Sequence, residues 1–352
     1  MISEAIQNLA SRLPPGWRLT APTLDRLAGP SPDAVVELIA PDGTARTWLL
    51  EVKTRVEPKD VSSLVGRLRS YRSQNRPDWS RATRVIVTSF LSPRTRERLE
   101  EFGLNYVDLA GNVRLVADRP GLFIYDRCVD RNPWREKRPA RSVKGAKAGR
   151  IVRALCDFFP PLGIRTLAEK AGTDAGYVSR TLVLLDREDL IKRMPRGPVT
   201  DVDWKGLIRR WAQDYSPFDS RRVGLYLEPR GASALLQKFR KADLQYAVTG
   251  SFAASKVAPV APPRLMICYV NDRERAAQYL DLRRTETGAN VLLASPLDAI
   301  VYERTWRKEG ITFAALSQVA ADLLGSPGRG PAEADALMKW MADNESVWRR
   351  RS

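Results

Sequence analysis

The middle of the chain reads GRIVRALCDFFP at 149–160, IRTLAEKAG at 164–172, AGYVSRTLVLLDREDL at 175–190 and IKRMPRGPVTDVDW at 191–204. The first segment repeats apolar residues at helical spacing until Pro160 and Pro161 end the helix. The second predicts a short amphipathic helix that ends at Gly172, after which Thr173 or Asp174 can cap a third helix. The fourth predicts a hairpin. We therefore expect three helices followed by two short strands.

The third helix divides into two faces. Its spacing places Val178, Leu182 and Leu185 inside and Tyr177, Arg180 and Arg187 outside. With the hairpin, this order resembles a winged helix-turn-helix, in which the third helix enters the DNA major groove and the wing lies along the backbone. The alternative is a small helical packing unit with a solvated basic hairpin. The resemblance implies that bases are read by Tyr177, Ser179, Arg180 and Arg187, and that phosphates are held by Lys192, Arg193 and Arg196.

The charge balance indicates a polyanionic partner. The 352 residues include 58 Lys or Arg and 41 Asp or Glu, which gives a net charge of +17. Nucleic acid is the partner that such a field favours, with a membrane surface as the second candidate. No apolar run reaches the roughly 18 residues that span a bilayer, and no signal-peptide pattern opens the chain. We expect a soluble, cytoplasmic protein.

The histidine and cysteine content excludes several kinds of catalytic and metal site. The chain contains no histidine and three cysteines, Cys128, Cys156 and Cys268, which are far apart in sequence. Ser-His-Asp catalysis, HExxH metalloproteases and histidine-dependent nucleases are therefore excluded. The cysteines indicate neither a disulfide framework nor a zinc site.

The first 130 residues predict a compact α/β domain. An opening helix over residues 2–13 is followed by antiparallel strand patterns and then by alternating helices and strands, among them the buried strand TRVIVTSF (83–90). Pro32-Asp33, 17 intervening residues and Glu51-Val52-Lys53 resemble the PD-(D/E)XK pattern of restriction-endonuclease-like nucleases. In such a site Asp33 and Glu51 converge on Mg²⁺, a cation that prefers oxygen ligands, with the Val52 carbonyl as a further ligand.

The same resemblance assigns two further catalytic candidates. Lys53 points to the same sheet face as Glu51 and would orient or deprotonate the attacking water. Glu4, on the opening helix, resembles the helix carboxylate that some members of the superfamily add. Against activity, Glu57-Pro58-Lys59 satisfies E-x-K as well, and Glu51 and Lys53 can be an ordinary charge pair. The fold is also kept as a scaffold after its activity is lost.

A second segment of this domain has two interpretations. In GLNYVDLAGNVRL (103–115), Gly111-Asn112 indicates a plain hairpin turn. Alternatively, Tyr106, Asp108 and Asn112 line a groove beside Asp33 and Glu51.

A basic bridge joins the two regions. Ten Lys or Arg and two acidic residues lie between Arg127 and Arg153, interrupted by proline and glycine. A charge run is often only solvated, but this one leads directly into the helical region, which favours an arm that tracks the DNA backbone. The residues expected to contact phosphates are Arg135, Lys137, Arg138, Arg141, Lys144 and Lys147.

The last third predicts another α/β domain. A strand, Thr249-Gly250-Ser251 and a helix of small residues resemble the opening of nucleotidyltransferase-fold domains, but the next strand lacks their D-x-D pair, which indicates a degenerate member. A plain glycine turn is the alternative.

The stretch LSQVAADLLGSPGRGPAEADALMKWM (316–341) resembles the C-terminal region of the AbiEi family, the antitoxins of type IV toxin–antitoxin systems. Its matching positions are Ser317-Gln318, Asp322-Leu323 and Gly328-Arg329-Gly330 through Glu333. Members bind their own promoter through a winged helix and repress the operon. Here a nuclease-like domain of about 130 residues precedes the winged helix, which departs from the family pattern.

Together these patterns predict a multidomain α/β protein. Its segments are a nuclease-like domain (1–130), a basic linker (131–147), a winged helix-turn-helix (148–215) and a degenerate nucleotidyltransferase-like domain (216–352). The predicted function is sequence-specific binding of double-stranded DNA as an antitoxin-like transcriptional regulator that needs no cofactor. A homodimer partner or a cognate toxin is a further expectation. The alternative is a Mg²⁺-dependent endonuclease that the winged helix delivers to DNA.

Overall fold

The computed structural model describes residues 2–23, 31–71, 79, 82–134, 143–194, 197–215, 218 and 220–351. The chain divides into two compact units, Met1–Pro139 with Arg187–Asp189, and Ala140–Asp186 with Leu190–Ser352. Each unit is mixed α/β and contains a sheet with both parallel and antiparallel strand pairs. None of the helices in the described residues has the length and apolar character needed to cross a membrane.

The first unit is built on one sheet whose strands follow the order of the chain. Its three central strands are parallel and the outer ones antiparallel. The strands are β1 (Arg18–Leu19), β2 (Ala34–Ile39), β3 (Ala45–Lys53), β4 (Thr83–Thr88), β5 (Asn105–Asp108), β6 (Val113–Ala117) and β7 (Leu122–Asp126). The helices are α1 (Ile2–Ala10), α2 (Val61–Ser70) and α3 (Pro93–Glu101), with a 3-10 turn at Pro58–Asp60.

The two faces of this sheet pack against different helices. On β3, Leu49 shares a core with Leu64 of α2 and Leu99 of α3. Leu50, the next residue, belongs to a separate core that contains Leu9 of α1. This alternation follows from the two-residue period of a strand. Glu51 and Lys53 have the same parity as Leu49, so they lie on the face that carries α2 and α3.

The second unit begins with the helices and hairpin that the sequence predicts. Helix α4 ends at Asp157 shortly before Pro160, and the Asp174 carboxylate accepts a hydrogen bond from the Tyr177 backbone at 2.7 Å at the start of the third helix. The elements are α4 (Ala146–Asp157), α5 (Ile164–Lys170), α6 (Ala175–Arg187), β8 (Ile191–Arg193), β9 (Val199–Val202) and α7 (Trp204–Asp214).

A second sheet follows in the same unit, with the strand order β13-β10-β14-β12-β11-β16-β15. Its strands are β10 (Val223–Leu227), β11 (Tyr246–Thr249), β12 (Met266–Val270), β13 (Arg283–Arg284), β14 (Val291–Ala294), β15 (Trp306–Lys308) and β16 (Ile311–Phe313). Its helices are α8 (Gly231–Lys241), α9 (Gly250–Ala254), α10 (Arg273–Tyr279), α11 (Leu316–Leu324), α12 (Gly330–Asp343) and α13 (Glu345–Trp348), with 3-10 turns at Ser220–Arg222 and Ala299–Tyr302.

One apolar core runs through the whole second unit. It contains Leu155 of α4, Leu182 of α6, Trp211 of α7, Val248 of β11 and Val319 of α11. Residues on both sides of the predicted boundary at 215/216 therefore bury their apolar surface against each other. Helix α4 begins at Ala146, inside the segment that the sequence assigns to a linker.

Candidate functional site

The three residues of the nuclease-like pattern converge in the first unit. The Asp33 backbone donates to the Leu50 carbonyl at 2.9 Å, and one Asp33 carboxylate oxygen, Oδ2, accepts from the Val52 backbone at 2.7 Å. These bonds hold Asp33 beside the end of β3. Lys53 Nζ lies 4.0 Å from Asp33 Oδ2 and 2.5 Å from Glu51 Oε1. The structure thus brings Asp33, Glu51 and Lys53 together.

The Glu51 carboxylate has no solvent exposure; Oε2 accepts a hydrogen bond, whereas Oε1 has ion-pair contacts with Lys53 and Arg67 but no hydrogen-bond donor among the described residues. Tyr71 donates its hydroxyl to Oε2 at 2.6 Å, and Arg67 Nε lies 3.2 Å from Oε1. Arg67 Nε also donates to the Tyr71 hydroxyl at 3.2 Å. Burial, and then the bond to Glu51, raise the pKa of Tyr71 to about 12, so its hydroxyl stays protonated and able to donate.

These residues do not fit a Mg²⁺ site. In the part of the chain that the structure describes, no three Asp, Glu, His or Cys side chains are grouped to hold a metal ion. Mg²⁺ needs oxygen ligands at about 2.0–2.1 Å in a near-octahedral arrangement. Here two cations and a hydroxyl donor already contact the Glu51 oxygens, so this cluster is an internally neutralised ion-pair group.

Glu4 does not join the group. It is exposed on α1, whose Leu9 packs into the core on the sheet face opposite Glu51.

The hairpin residues stabilise the turn between β5 and β6 through hydrogen bonds. Asp108 and Asn112 are fully buried, and Asp108 accepts hydrogen bonds from the Asn112 backbone at 2.9 Å and the Leu91 backbone at 2.8 Å. Asn112 in turn accepts a hydrogen bond from Arg96. Tyr106 donates its hydroxyl to Glu100 at 2.8 Å. These contacts support the plain-hairpin interpretation rather than a groove beside Glu51.

The predicted recognition residues lie on α6, of which all but the last residue, Arg187, belong to the second unit. Val178, Leu182 and Leu185 are buried in the core, which fixes the orientation of the helix. On the other side, Arg180 and Arg187 are exposed and Ser179 is half-buried.

Tyr177 differs from the predicted outer position. It is half-buried and packs against the core, and the Arg180 guanidinium lies 5.8 Å from its ring centroid. Its ring therefore supports Arg180, and we expect Arg180 to be the better placed of the two to reach a ligand.

The predicted phosphate contacts are only partly described. In the hairpin, Lys192 is exposed, whereas Arg193 is half-buried with Nε 3.9 Å from Asp186 Oδ1. Lys144 and Lys147 are exposed, and Lys147 Nζ lies 3.7 Å from the Asp174 carboxylate at the start of α6. The first turn of α4 thus lies beside the start of that helix. The remaining predicted contacts lie outside the described residues: Arg135, Lys137, Arg138, Arg141 and Arg196.

The polar residues of the 316–341 stretch form a buried network rather than a surface. Asp322 is fully buried and accepts hydrogen bonds from Thr249 at 2.6 Å, Tyr269 at 2.9 Å and Gln318 at 2.9 Å. Burial raises the pKa of Asp322 to about 6 against these bonds. The network ties α11 to β11 and β12.

The polar side chains at the end of the same stretch also contact other residues of this chain. Ser251 donates its hydroxyl to Glu333, and Arg329 Nε lies 2.6 Å from Glu333 Oε1. Gly330 is required by packing, because an added Cβ would lie 2.5 Å from the Leu323 carbonyl oxygen. The glycine-serine turn is thus filled by a carboxylate of this chain.

Sequence reasoning missed two sets of contacts. Arg67 and Tyr71 are one helical turn apart, in the segment that follows the strand carrying Glu51. Their spacing indicates a contact with Glu51 only when that strand is known to pack against α2. In the second unit, Arg153 has no solvent exposure and its Nε contacts Asp157 at 3.1 Å. A charged residue on the apolar face of α4 is the sequence feature that could have indicated a buried ion pair.

No protein-family model and no curated protein matches this sequence. Among solved structures the chain is similar to EndoMS in its apo form, with 20% identity and a TM-score of 0.21. The match covers 30% of this chain and 44% of that one, so the chain spans less than half of that protein. A likeness with so low a TM-score carries no argument.

Proposed function

We propose that this chain is a sequence-specific regulator that binds double-stranded DNA through α6 as the recognition helix of a winged helix-turn-helix. The proposal rests on the contrast between the two faces of α6. Its apolar face is buried while Arg180 and Arg187 are exposed, with Lys147 beside its first turn. A helix presented in this way fits the major groove, where arginine reads the O6 and N7 atoms of guanine.

The exposed lysines have a separate role in this proposal. Lys144, Lys147 and Lys192 would contact phosphates, which adds affinity that depends on salt and is independent of sequence. The net charge of +17 strengthens the attraction to DNA over a longer range.

We extend the proposal to an antitoxin-like, AbiEi-like role for the second unit, on the residues of the 316–341 stretch. In this proposal the second sheet is a degenerate nucleotidyltransferase-like domain, and the first unit is a nuclease-like fold that serves as a scaffold. The filled turn at Ser251 and the neutralised Glu51 support these assignments. A toxin protein or a second copy of the chain would be the protein partner.

One observation favours the rival proposal, an endonuclease: Asp33, Glu51 and Lys53 share one place on the sheet. The contacts of Arg67 and Tyr71 with Glu51 weigh against it.

Incubation with supercoiled and linear DNA separates the two. Wild type and Asp33→Ala/Glu51→Ala would be compared with Mg²⁺, with Mn²⁺ and with EDTA. We expect equal mobility shifts and intact DNA in all samples. Metal-dependent nicking that the double variant loses would replace the regulator with the nuclease.

A further inference from the structure

The group around Glu51 poses an electrostatic question that DNA binding does not answer. A carboxylate with no solvent exposure is costly unless a positive charge and hydrogen bonds compensate it. Asp33, whose side chain is 37% exposed, adds a second negative charge nearby. Two converging carboxylates with a lysine are the kind of donor set that a hard divalent cation would neutralise. In this chain the compensation comes from side chains instead.

Arg67 and Tyr71 provide that compensation in a fixed geometry. The Arg67 Nε atom lies 3.2 Å from Glu51 Oε1 and also 3.2 Å from the Tyr71 hydroxyl, which itself lies 2.6 Å from Glu51 Oε2. Arg67 is on the last turns of α2 and Tyr71 follows its end, so one helix terminus delivers both groups. Arginine stays protonated at every pH at which the protein folds, so its charge is permanent.

A divalent cation cannot share this space. An ion bound to Glu51 Oε1 would lie about 2 Å from that oxygen. Lys53 Nζ is already 2.5 Å from the same oxygen and Arg67 Nε 3.2 Å from it. The ion would therefore meet two positive charges at close range, next to a carboxylate that is itself fully buried. Binding would therefore require Arg67 to leave its position beside Oε1.

We infer that Arg67, aided by Tyr71, takes the place of a divalent cation at Asp33 and Glu51 and keeps the first unit metal-free. Removal of these two groups then uncovers a latent site for one hard divalent cation, held by the Asp33 and Glu51 carboxylates. The inference concerns the first unit alone and stands whether or not α6 binds DNA.

Mn²⁺ binding to the full-length chain, stripped of metal and free of DNA, tests this inference. Calorimetry and Mn²⁺ electron paramagnetic resonance would be applied to wild type and to Arg67→Met/Tyr71→Phe, which keeps the bulk of both side chains. We expect wild type to bind Mn²⁺ with a Kd weaker than about 1 mM and the double variant to bind one ion at least tenfold more tightly.

Two controls isolate the cause. Arg55→Met removes an equal charge from a residue that is 73% exposed and pairs with Glu57, so it should leave Mn²⁺ binding unchanged. Adding Glu51→Gln to the double variant should abolish the gain. Stoichiometric Mn²⁺ binding by wild type that Glu51→Gln removes would overturn the inference, and so would a folded double variant without a gain.

If the double variant does not fold, Arg67→Met alone decides the matter. Its side chain is 47% exposed, so the substitution leaves the core intact while it opens the space beside Oε1. We expect a smaller but measurable gain in Mn²⁺ affinity over wild type, and no gain would overturn the inference.

Discussion

The Glu51 group and the exposed face of α6 are both rich in charge, but their charges are placed in opposite ways. Glu51 is fully buried, and Lys53 and Arg67 lie within ion-pair distance of it. Arg180 and Arg187 are exposed on a helix whose other face is buried. The first arrangement satisfies charge within the chain, whereas the second presents charge to an outside partner.

Whether a charge is buried and paired or exposed is what distinguishes the proposed scaffold from the proposed binding surface. The residue types alone do not, since both regions combine basic residues with a tyrosine. Charges that are buried and paired should control the stability of the fold, and charges that are exposed should control affinity for a polyanion.

The largest expected effect is on stability, at a buried charge of the second unit. Asp157 contacts Arg153 Nε at 3.1 Å and Arg304 Nε at 2.6 Å, and it accepts a hydrogen bond from Ser317. Asp157→Ala leaves two buried guanidinium groups without this partner. We expect the free energy of unfolding to fall by about 3–5 kcal/mol in urea denaturation.

Asp335→Ala is the matched control for that substitution. Asp335 is 58% exposed and pairs with Arg209 at 2.8 Å, so its loss should change the free energy of unfolding by no more than about 1 kcal/mol. Equal effects of the two substitutions would break the distinction between buried and exposed charge.

A second prediction concerns pH. Because burial raises the pKa of Asp322 to about 6, the folded chain keeps a proton that the unfolded chain loses near pH 4. The free energy of unfolding should therefore fall as pH rises from about 4 to about 6, by at most about 3 kcal/mol, and change no further above that.

Asp322→Asn removes this titration while keeping the shape of the side chain. The Thr249 hydroxyl can reverse to accept from the new amide. Relative to this variant, wild type should lose stability between pH 4.5 and pH 7.5 in denaturant titrations. A difference that stays constant with pH would contradict the raised pKa.

The smallest expected effect is on the salt dependence of DNA binding. Lys144 and Lys147 are exposed, and each phosphate contact contributes about 0.9 to the slope of log affinity against log salt concentration. Lys144→Ala/Lys147→Ala should lower that slope by about 2 in fluorescence anisotropy titrations with a random duplex. Lys205→Ala/Lys339→Ala, which removes two exposed lysines of α7 and α12, should leave it unchanged.

The sequence was sufficient to predict local structure and which residues of a strand share a face of the sheet. Helical spacing predicted the inner face of α6, and the alternation of β3 predicted that Glu51 and Lys53 share a face. It was not sufficient for contacts that depend on packing between elements. Nothing local to Glu51 indicates that Arg67 and Tyr71 reach it from α2, and helical spacing alone could not show that Tyr177 packs against the core.

The most direct test of the proposed function compares Arg180→Ala with Arg209→Ala on two duplexes in EDTA at one salt concentration. One duplex is selected by wild type from a random library, and the other is its scrambled sequence. Arg180→Ala should lose about 10- to 100-fold in affinity for the selected duplex and almost none for the scrambled one, because a base contact is worth about 1–3 kcal/mol. Arg209, exposed on α7 and paired with Asp335, should have no effect on either. Equal losses on both duplexes, or none, would contradict the assignment of α6 as the recognition helix.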